Sequence, residues 1–209
     1  MSGKRINKMT TKEHPDFLLE LKRQLVHLFM GILISLSVYF LDPFMGRWVL
    51  LPLIVMLLFI FTLPRLITDI WLFNHLFLHF EREDDIMNFP FRGAFWYGVG
   101  IIPPILFLPL NPACAVIAVL SAGDSMSTIV GKFLGKRRYG HKSVEGFLSF
   151  FVFGFLAAAV FVSPELALMF AFLGAVMEFL SFIDDNLLIP LSLSVFYVLA
   201  SNIIRLNLM

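Results

Sequence analysis

Seven apolar runs, separated by short polar breaks, constrain the fold of this chain more than any other feature. Each is close to the roughly 20 residues that cross a bilayer as a helix. Hydrophobic residues make up 59% of the chain and charged residues only 15%, whereas soluble domains are about 45–50% apolar and about 25% charged. We therefore predict an all-α polytopic membrane protein with about seven transmembrane helices. The runs lie at 25–41, 48–63, 93–110, 113–131, 146–162, 166–183 and 187–204.

Prolines and polar residues mark the boundaries of these runs. Asp42-Pro43, Asn111-Pro112 and Ser163-Pro164 predict turns between spans. Pro103-Pro104 predicts that the third span is kinked or broken. Residues 65–92 begin apolar and aromatic and then turn acidic, which indicates an interfacial helix with a solvated loop, or a short extra span.

The distribution of positive charge predicts the orientation. Fourteen of the 16 Lys and Arg residues fall on one side if seven spans alternate, and cytoplasmic loops carry the excess of Lys and Arg. We therefore predict that the N-terminus is cytoplasmic. Residues 1–20 would form a loosely ordered arm there, without a signal peptide. Residues 21–209 would form a single transmembrane domain. The membrane would be the cell membrane in a prokaryote or the endoplasmic reticulum in a eukaryote.

The single cysteine, Cys114, excludes an intrachain disulfide and is expected to be a small buried hydrophobe.

Three ionisable residues lie inside the spans, near the predicted cytoplasmic side: His27, Asp124 and Glu178. Ionisable groups within a bilayer are costly and usually face a cavity or a partner. Their similar depth predicts one polar site.

Asp124 stands among small and hydroxyl residues in Gly-Asp-Ser-Met-Ser-Thr. A carboxylate in such surroundings can hold Mg²⁺, a hard cation that prefers oxygen ligands and often bridges protein to substrate phosphates. The alternative is a polar network that packs helices together. Gly131 and Gly135 also fit the packing pattern of small residues four apart.

The stretch after that span is cationic and contains Lys136, Arg137, Arg138 and Lys142. Such side chains can clamp a triphosphate, or they can flank a membrane and touch anionic head groups. We favour the phosphate role for Lys142, because it precedes the fifth span, where helix N-terminal amides would also face an anion.

Further polar residues flank the fifth, sixth and first spans. Ser143 is a candidate N-cap and Glu145 a first-turn acid of the fifth span. The acidic turn of Asp184, Asp185 and Asn186 follows Glu178; it offers a second metal position or a general base, or it is a simple solvated turn. Lys22 and Arg23, before His27, either line the site or anchor the span at the interface.

No Gly-x-x-x-x-Gly-Lys-Ser/Thr loop and no protein-kinase signature occurs in the sequence. Any nucleotide chemistry would therefore use a membrane-specific site.

Several motifs together give the chain a family resemblance. It resembles the CTP-dependent lipid-alcohol kinases, which comprise dolichol or polyprenol kinase, phytol kinase and the yeast-type diacylglycerol kinase. The basic pair of the first motif is Lys-Arg here, where the family has Arg-Lys. The similar segments are Glu20 to His27, Arg92 to Tyr97, Gly123 to Met126, Lys142 to Gly146, Glu178, and Asp185-Asn186 to Pro190.

The resemblance implies transfer of the CTP γ-phosphate to a lipid hydroxyl with Mg²⁺ or another divalent ion. We assign Asp124 and Asp185 to the metal, and Glu178 or Asp124 to the lipid hydroxyl. Expected partners are a nucleoside triphosphate and a polyisoprenoid alcohol; we expect no nucleic acid. A CDP-lipid synthase and a transporter of lipid or small anions are the alternatives. The candidate phosphate and nucleotide contacts are Lys136, Arg137, Arg138, Lys142, Ser143, Glu145, Gly146 and Asn186.

Overall fold

The computed structural model describes residues 13–66, 89–181 and 183–207, which are almost entirely helical. The prediction of an all-α fold is confirmed; the two strands in this part of the chain form one short hairpin. The elements are α1 (Glu13–Met45), a 3₁₀ turn (Gly46–Val49), α2 (Leu50–Leu66), α3 (Arg92–Phe107), α4 (Leu110–Val119), a π-helical turn (Leu120–Asp124), α5 (Ser125–Phe133), β1 (Arg138–Tyr139), β2 (Lys142–Ser143), α6 (Val144–Ala158), α7 (Pro164–Leu180) and α8 (Asp185–Asn207).

Three helical stretches of the described chain are long and apolar enough to cross a membrane: Phe17–Thr62, Leu110–Phe133 and Asp185–Ile203. The first of them covers most of α1 and of α2, and α6 is a shorter apolar helix. Large apolar side chains such as Phe29, Phe107 and Leu199 lie exposed on the outer faces of the helices. Such an apolar exterior supports the prediction of a membrane protein.

The second stretch is the centre of the fold. The helices α4 and α5 form one continuous rod with the π-helical turn between them. In the apolar 18-residue segment of this rod, 72% of the residues are buried. Cys114 is completely buried there as a free thiol, as predicted. Helix α1 packs against this rod, and Ser35 Oγ donates a hydrogen bond to the Cys114 carbonyl oxygen at 3.0 Å.

Of two predicted boundaries, one is confirmed and the other is wrong. The turn at Ser163-Pro164 is confirmed, because Pro164 is the first residue of α7, where its missing N–H costs nothing. The turn at Asp42-Pro43 is wrong, because α1 continues to Met45. The chain leaves the helix at Gly46 instead, whose φ of +55° suits a residue without a Cβ.

The other proline positions also differ from expectation. Pro112 lies in the first turn of α4 rather than before it, a position that proline tolerates. Helix α3 runs unbroken through Pro103 and Pro104, which excludes a break there and leaves the kink as a prediction. The interfacial helix predicted within 65–92 falls mostly outside the described residues. Of the arm predicted over 1–20, the part from Glu13 onward is helical and belongs to α1.

Glycines allow close helix contacts that hold the site end together. A Cβ at Gly100 of α3 would overlap the backbone carbonyl oxygen of Asn186 at the start of α8. A Cβ at Gly154 of α6 would instead meet the Phe150 ring at 3.5 Å, an ordinary van der Waals distance.

Replacing these two glycines by alanine should therefore have opposite effects. We expect Gly100→Ala to destabilise the protein by about 1–3 kcal/mol, because backbone must move to admit the methyl group. We expect Gly154→Ala to be neutral or to stabilise by up to about 1 kcal/mol, the helix-propensity gain of alanine. Thermal unfolding of both variants in the same detergent measures this, and equal midpoints would contradict the packing described.

Candidate functional site

A polar cleft of about 580 Å³ lies at one end of the helices. It is lined by residues near the beginnings of α1, α3, α6 and α8 and near the ends of α5 and α7, together with the β-hairpin. Elements distant in sequence therefore meet there. Of the predicted residues, the cleft brings together Arg23, Asp124, Lys142, Ser143, Gly146, Glu178, Asp184, Asp185 and Asn186.

Lys142 is at the centre of the charged cluster. Its Nζ donates to Glu178 Oε1 at 2.7 Å and to Asp185 Oδ2 at 2.8 Å. Glu178 is only 3% exposed, and Ser127 Oγ donates to the same Glu178 oxygen at 2.9 Å. The ammonium group thus joins the hairpin to the end of α7 and the beginning of α8.

The surroundings favour the charged form of this lysine. Burial alone would lower the pKa of Lys142, but Glu178 and Asp185 outweigh burial and raise that pKa above its ordinary value. Lys142 therefore remains a cation at neutral pH.

Asp124 is held next to this cluster by an irregular part of the central rod. It is the last residue of the π-helical turn, and such turns often occur at functional sites because they reorient a side chain. One carboxylate oxygen each of Asp124, Glu178 and Asp185 lies within 4.8 Å of the others. His27 Nε2 lies 3.7 Å from Asp124 Oδ2. The three carboxylates form an all-oxygen donor set of the kind that a hard cation prefers.

The hairpin is tied to the start of α6 by two local interactions. Ser143 is the N-cap, as predicted, since its Oγ accepts from Gly146 N at 3.0 Å. Glu145 accepts from the backbone N–H of Arg137 at 3.3 Å. Hydrogen bonds from backbone N–H groups, its own first, lower the pKa of Glu145 below its ordinary value. The first-turn role predicted for this acid is therefore present.

The remaining cations of the predicted basic stretch do not line the cleft. Lys136, Arg137 and Arg138 are exposed on or beside the hairpin, and Arg138 approaches the Gly135 and Lys132 carbonyl oxygens at 3.5 Å. Lys22 is likewise exposed and outside the cleft. Of this stretch, Lys142 and His141 line the cleft.

The acidic turn before α8 is structured rather than simply solvated. Asp184 Oδ1 accepts from the backbone N–H and from Nδ2 of Asn186, both at 3.2 Å. Arg92 Nε lies 3.8 Å from Asp184 Oδ2. Burial raises the pKa of Asp184 despite the hydrogen bonds that oppose the rise. Asn186 Oδ1 has no hydrogen-bond partner among the described residues.

Sequence reasoning missed a second ion pair at the edge of the cleft. Lys132 Nζ lies 3.0 Å from Glu20 Oε2, and Glu20 is only 7% exposed. The available signal was spacing, because Glu20, Arg23 and His27 recur at helical intervals and so share one face of α1. Arg23 and His27 were identified as candidates, but the partner of Glu20 on α5 cannot be inferred from that spacing.

The small residues of α5 pack against α6, as their pattern predicts. A Cβ at Gly131 would come within 3.1 Å of Ser143 Oγ and 3.5 Å of the Gly146 Cα. This close approach brings Ser127 and Lys142 to the same carboxylate. The packing role of the small residues and the polar site therefore coexist in α5.

A second, mainly apolar pocket of about 450 Å³ adjoins the cleft. It lies between α1, α2 and α3, with Met30, Ile34, Met56 and Ile60 among its lining residues. The two cavities share Arg23, Gln24, Gly93, Asp124 and Asn186.

The chain is similar to an uncharacterized protein of Methanocaldococcus jannaschii, MJ1137. The two are 32% identical over 184 residues, a match that covers 82% of this chain and 88% of that protein. The chain belongs to the same family as MJ1137. No family model matches the chain, and no solved structure matches it. Since the relative is uncharacterized, the function must be argued from the site.

Removing the central ammonium should destabilise the fold. Lys142→Met keeps much of the side-chain length but leaves Glu178 buried without its cation; removing one partner of a buried pair costs about 3–5 kcal/mol. We expect about 3 kcal/mol, because the Lys142 side chain is 27% exposed. Thermal unfolding in detergent is the measurement, with the exposed Lys136→Met as the matched control. A Lys142→Met midpoint equal to that of the control would contradict this account.

Proposed function

We propose that this protein is an integral-membrane kinase that transfers the γ-phosphate of CTP to the hydroxyl of a polyisoprenoid alcohol, giving the lipid monophosphate. One observation carries the proposal: the cluster of Lys142 with three carboxylates meets an apolar pocket at Asp124. Such a junction suits a reaction between a water-soluble phosphate donor and a membrane alcohol. The choice of CTP and of an isoprenoid comes from the family resemblance.

The proposed topology has seven spans and a cytoplasmic N-terminus. Val26 near the start of α1 and Ile60 near the end of α2 line the same pocket, which indicates that α2 returns alongside α1. Helices α1, α3, α6 and α8 begin near the cleft, and α5 and α7 end near it. This alternation is compatible with seven crossings. The cationic hairpin lies at the cleft, and cytoplasmic ends carry the excess of Lys and Arg. The cleft would then face the compartment that supplies CTP.

The residues present fit a divalent cation. Asp124, Glu178 and Asp185 offer oxygen ligands only, which suits Mg²⁺ better than a softer metal. We propose Asp124 and Asp185 as the principal ligands. Lys142 donates to both Asp185 and Glu178, but Glu178 is also engaged by Ser127. When bound, the cation would neutralise negative charge on the phosphate oxygens.

The transfer requires one bond to form and one to break. The lipid hydroxyl oxygen bonds to the γ-phosphorus, the bond from that phosphorus to the β–γ bridging oxygen breaks, and CDP leaves. Catalysis of this kind is mainly positioning and charge neutralisation. Lys142 supplies positive charge for the phosphates from within the cleft, which the exposed Arg137 and Arg138 do not line.

Asp124 is the better placed of the two acids that were candidates for the hydroxyl. It lines both cavities, whereas Glu178 lines only the polar cleft. Asp124 would therefore orient the alcohol, and its carboxylate can receive the hydroxyl proton. Asn186 borders both cavities as well, and its free Oδ1 can accept a hydrogen bond from the nucleotide or the alcohol.

The product released distinguishes this proposal from the alternatives. Purified protein supplied with CTP and a polyprenol should release CDP and the lipid monophosphate. A CDP-lipid synthase would instead release pyrophosphate from CTP and a lipid phosphate. A transporter would consume no nucleotide with either lipid.

Replacing Asp124 should abolish most of this activity. We expect Asp124→Asn to lower the rate of phosphate transfer from labelled CTP by about 10²-fold or more, the usual cost of losing one group that stabilises the transition state. Asp42→Asn, at the far end of α1, is the control and should retain the wild-type rate. Full transfer by Asp124→Asn would remove this carboxylate from the mechanism.

A divalent cation should be required and should bind at the carboxylates. Chelation with EDTA should reduce transfer to background, and added Mg²⁺ should restore it. Binding of Mn²⁺, followed by electron paramagnetic resonance, should be lost in Asp185→Asn and retained in Asp42→Asn. Unchanged Mn²⁺ binding by Asp185→Asn would place the metal elsewhere.

A further inference from the structure

The apolar pocket beside the cleft has a definite inner end and an open side. Its inner part is formed by the largely buried side chains of His27, Tyr97 and Asp124. Its other lining includes Val26, 46% exposed, and Met30, 41% exposed, on the outer face of α1. A volume of about 450 Å³ falls within the range typical of small-molecule sites.

His27 presents an unpaired nitrogen at the inner end. Its Nε2 is buried and has no hydrogen-bond partner among the described residues. The ring is held edge-on against Tyr97 with centroids 4.8 Å apart, and Tyr97 is fixed in turn by a hydrogen bond of 2.8 Å between its hydroxyl and Ser121 Oγ. A buried polar atom without a partner is costly, so such an atom at a cavity wall points to a polar group of a ligand.

The separation of His27 from Asp124 suits a hydroxyl between them. The 3.7 Å from Nε2 to Asp124 Oδ2 is too long for a direct hydrogen bond. A hydroxyl group can donate one hydrogen bond and accept others, so an alcohol at this point can contact both side chains. The mainly apolar pocket is lined by Asp124 and His27 as well, and the hydrocarbon part of that alcohol would extend into it.

We infer that the pocket between α1, α2 and α3 binds the hydrocarbon chain of the acceptor lipid, which enters from the side, and that His27 and Asp124 hold its hydroxyl at the inner end. This inference rests on the proposed function and adds to it the path of the chain and a role for His27. The proposed occupant is one chain with a terminal hydroxyl, because the pocket combines a mainly apolar lining with the polar groups of His27 and Asp124. The rest of a longer chain would leave by the open side into the bilayer.

Substitutions on α2 test the path of the chain. Met56→Trp fills the pocket, whereas Val55→Trp introduces the same side chain at the neighbouring residue, which is 58% exposed and outside the pocket. With full-length protein in phosphatidylcholine nanodiscs, KM is measured for a C20 isoprenol and for the C5 alcohol prenol. We expect the KM for the C20 isoprenol divided by the KM for prenol to rise at least tenfold above the wild-type ratio in Met56→Trp. In Val55→Trp this ratio should stay within twofold of the wild type. Equal ratios in the two variants would overturn the inference.

Photolabelling tests the same pocket without relying on catalysis. A C20 isoprenol with a diazirine in its chain should label peptides of α1, α2 and α3 in the wild type, with labelling reduced in Met56→Trp. Labelling of these peptides without any phosphate transfer would support the pocket and overturn the kinase function. Phosphate transfer with labelling on other helices would overturn the pocket and leave the kinase function standing.

A competition experiment tests whether His27 contacts the hydroxyl of the lipid. Competition of the photolabel by the C20 alcohol is compared with competition by the corresponding hydrocarbon that lacks the hydroxyl. We expect the alcohol to compete at least tenfold better in the wild type, and His27→Ala to remove most of that advantage without weakening competition by the hydrocarbon. An unchanged advantage in His27→Ala would exclude His27 from contact with the hydroxyl.

Discussion

The ion pairs of Lys142 with Glu178 and Asp185 join three elements of an otherwise apolar helical protein. Each charge would be costly at its depth if it stood alone. The charges become tolerable only when the hairpin, the end of α7 and the beginning of α8 are brought to one place. This mutual requirement defines the end of the bundle where the polar cleft forms.

The central rod contributes the other essential part of the site. A uniform α-helix of small and apolar residues packs well, and α4 does so with every residue from Pro112 to Val119 buried. The π-helical turn interrupts that regularity at Leu120–Asp124, and its last residue is the carboxylate that borders both the polar and the apolar cavity. Position at this boundary, more than acidity, distinguishes Asp124 from Glu178.

Much of the site was predictable because membrane spans obey a simple rule. Ends of alternating helices return to the same side, so Asp124, Glu178 and the Asp185 turn were expected near Lys142 before any contact was known. Contacts between side chains were not predictable by that rule. Lys142 was expected to face phosphates, and its ammonium lies against two carboxylates. Lys142 was favoured over Lys136, Arg137 and Arg138 because it directly precedes the fifth span, and those three residues are exposed in the structure.

The sequence by itself determined the helical class, the apolar spans and the small set of ionisable residues able to form a site, because hydropathy and the cost of buried charge act along the chain. Only the tertiary structure decided which charges pair, that Glu20 meets Lys132, and that the polar cleft and the apolar pocket share Asp124. The physical reason is that pairing depends on distances of a few ångströms between residues far apart in sequence. Helical periodicity places a side chain on a face of its own helix, but packing between helices sets what that face meets.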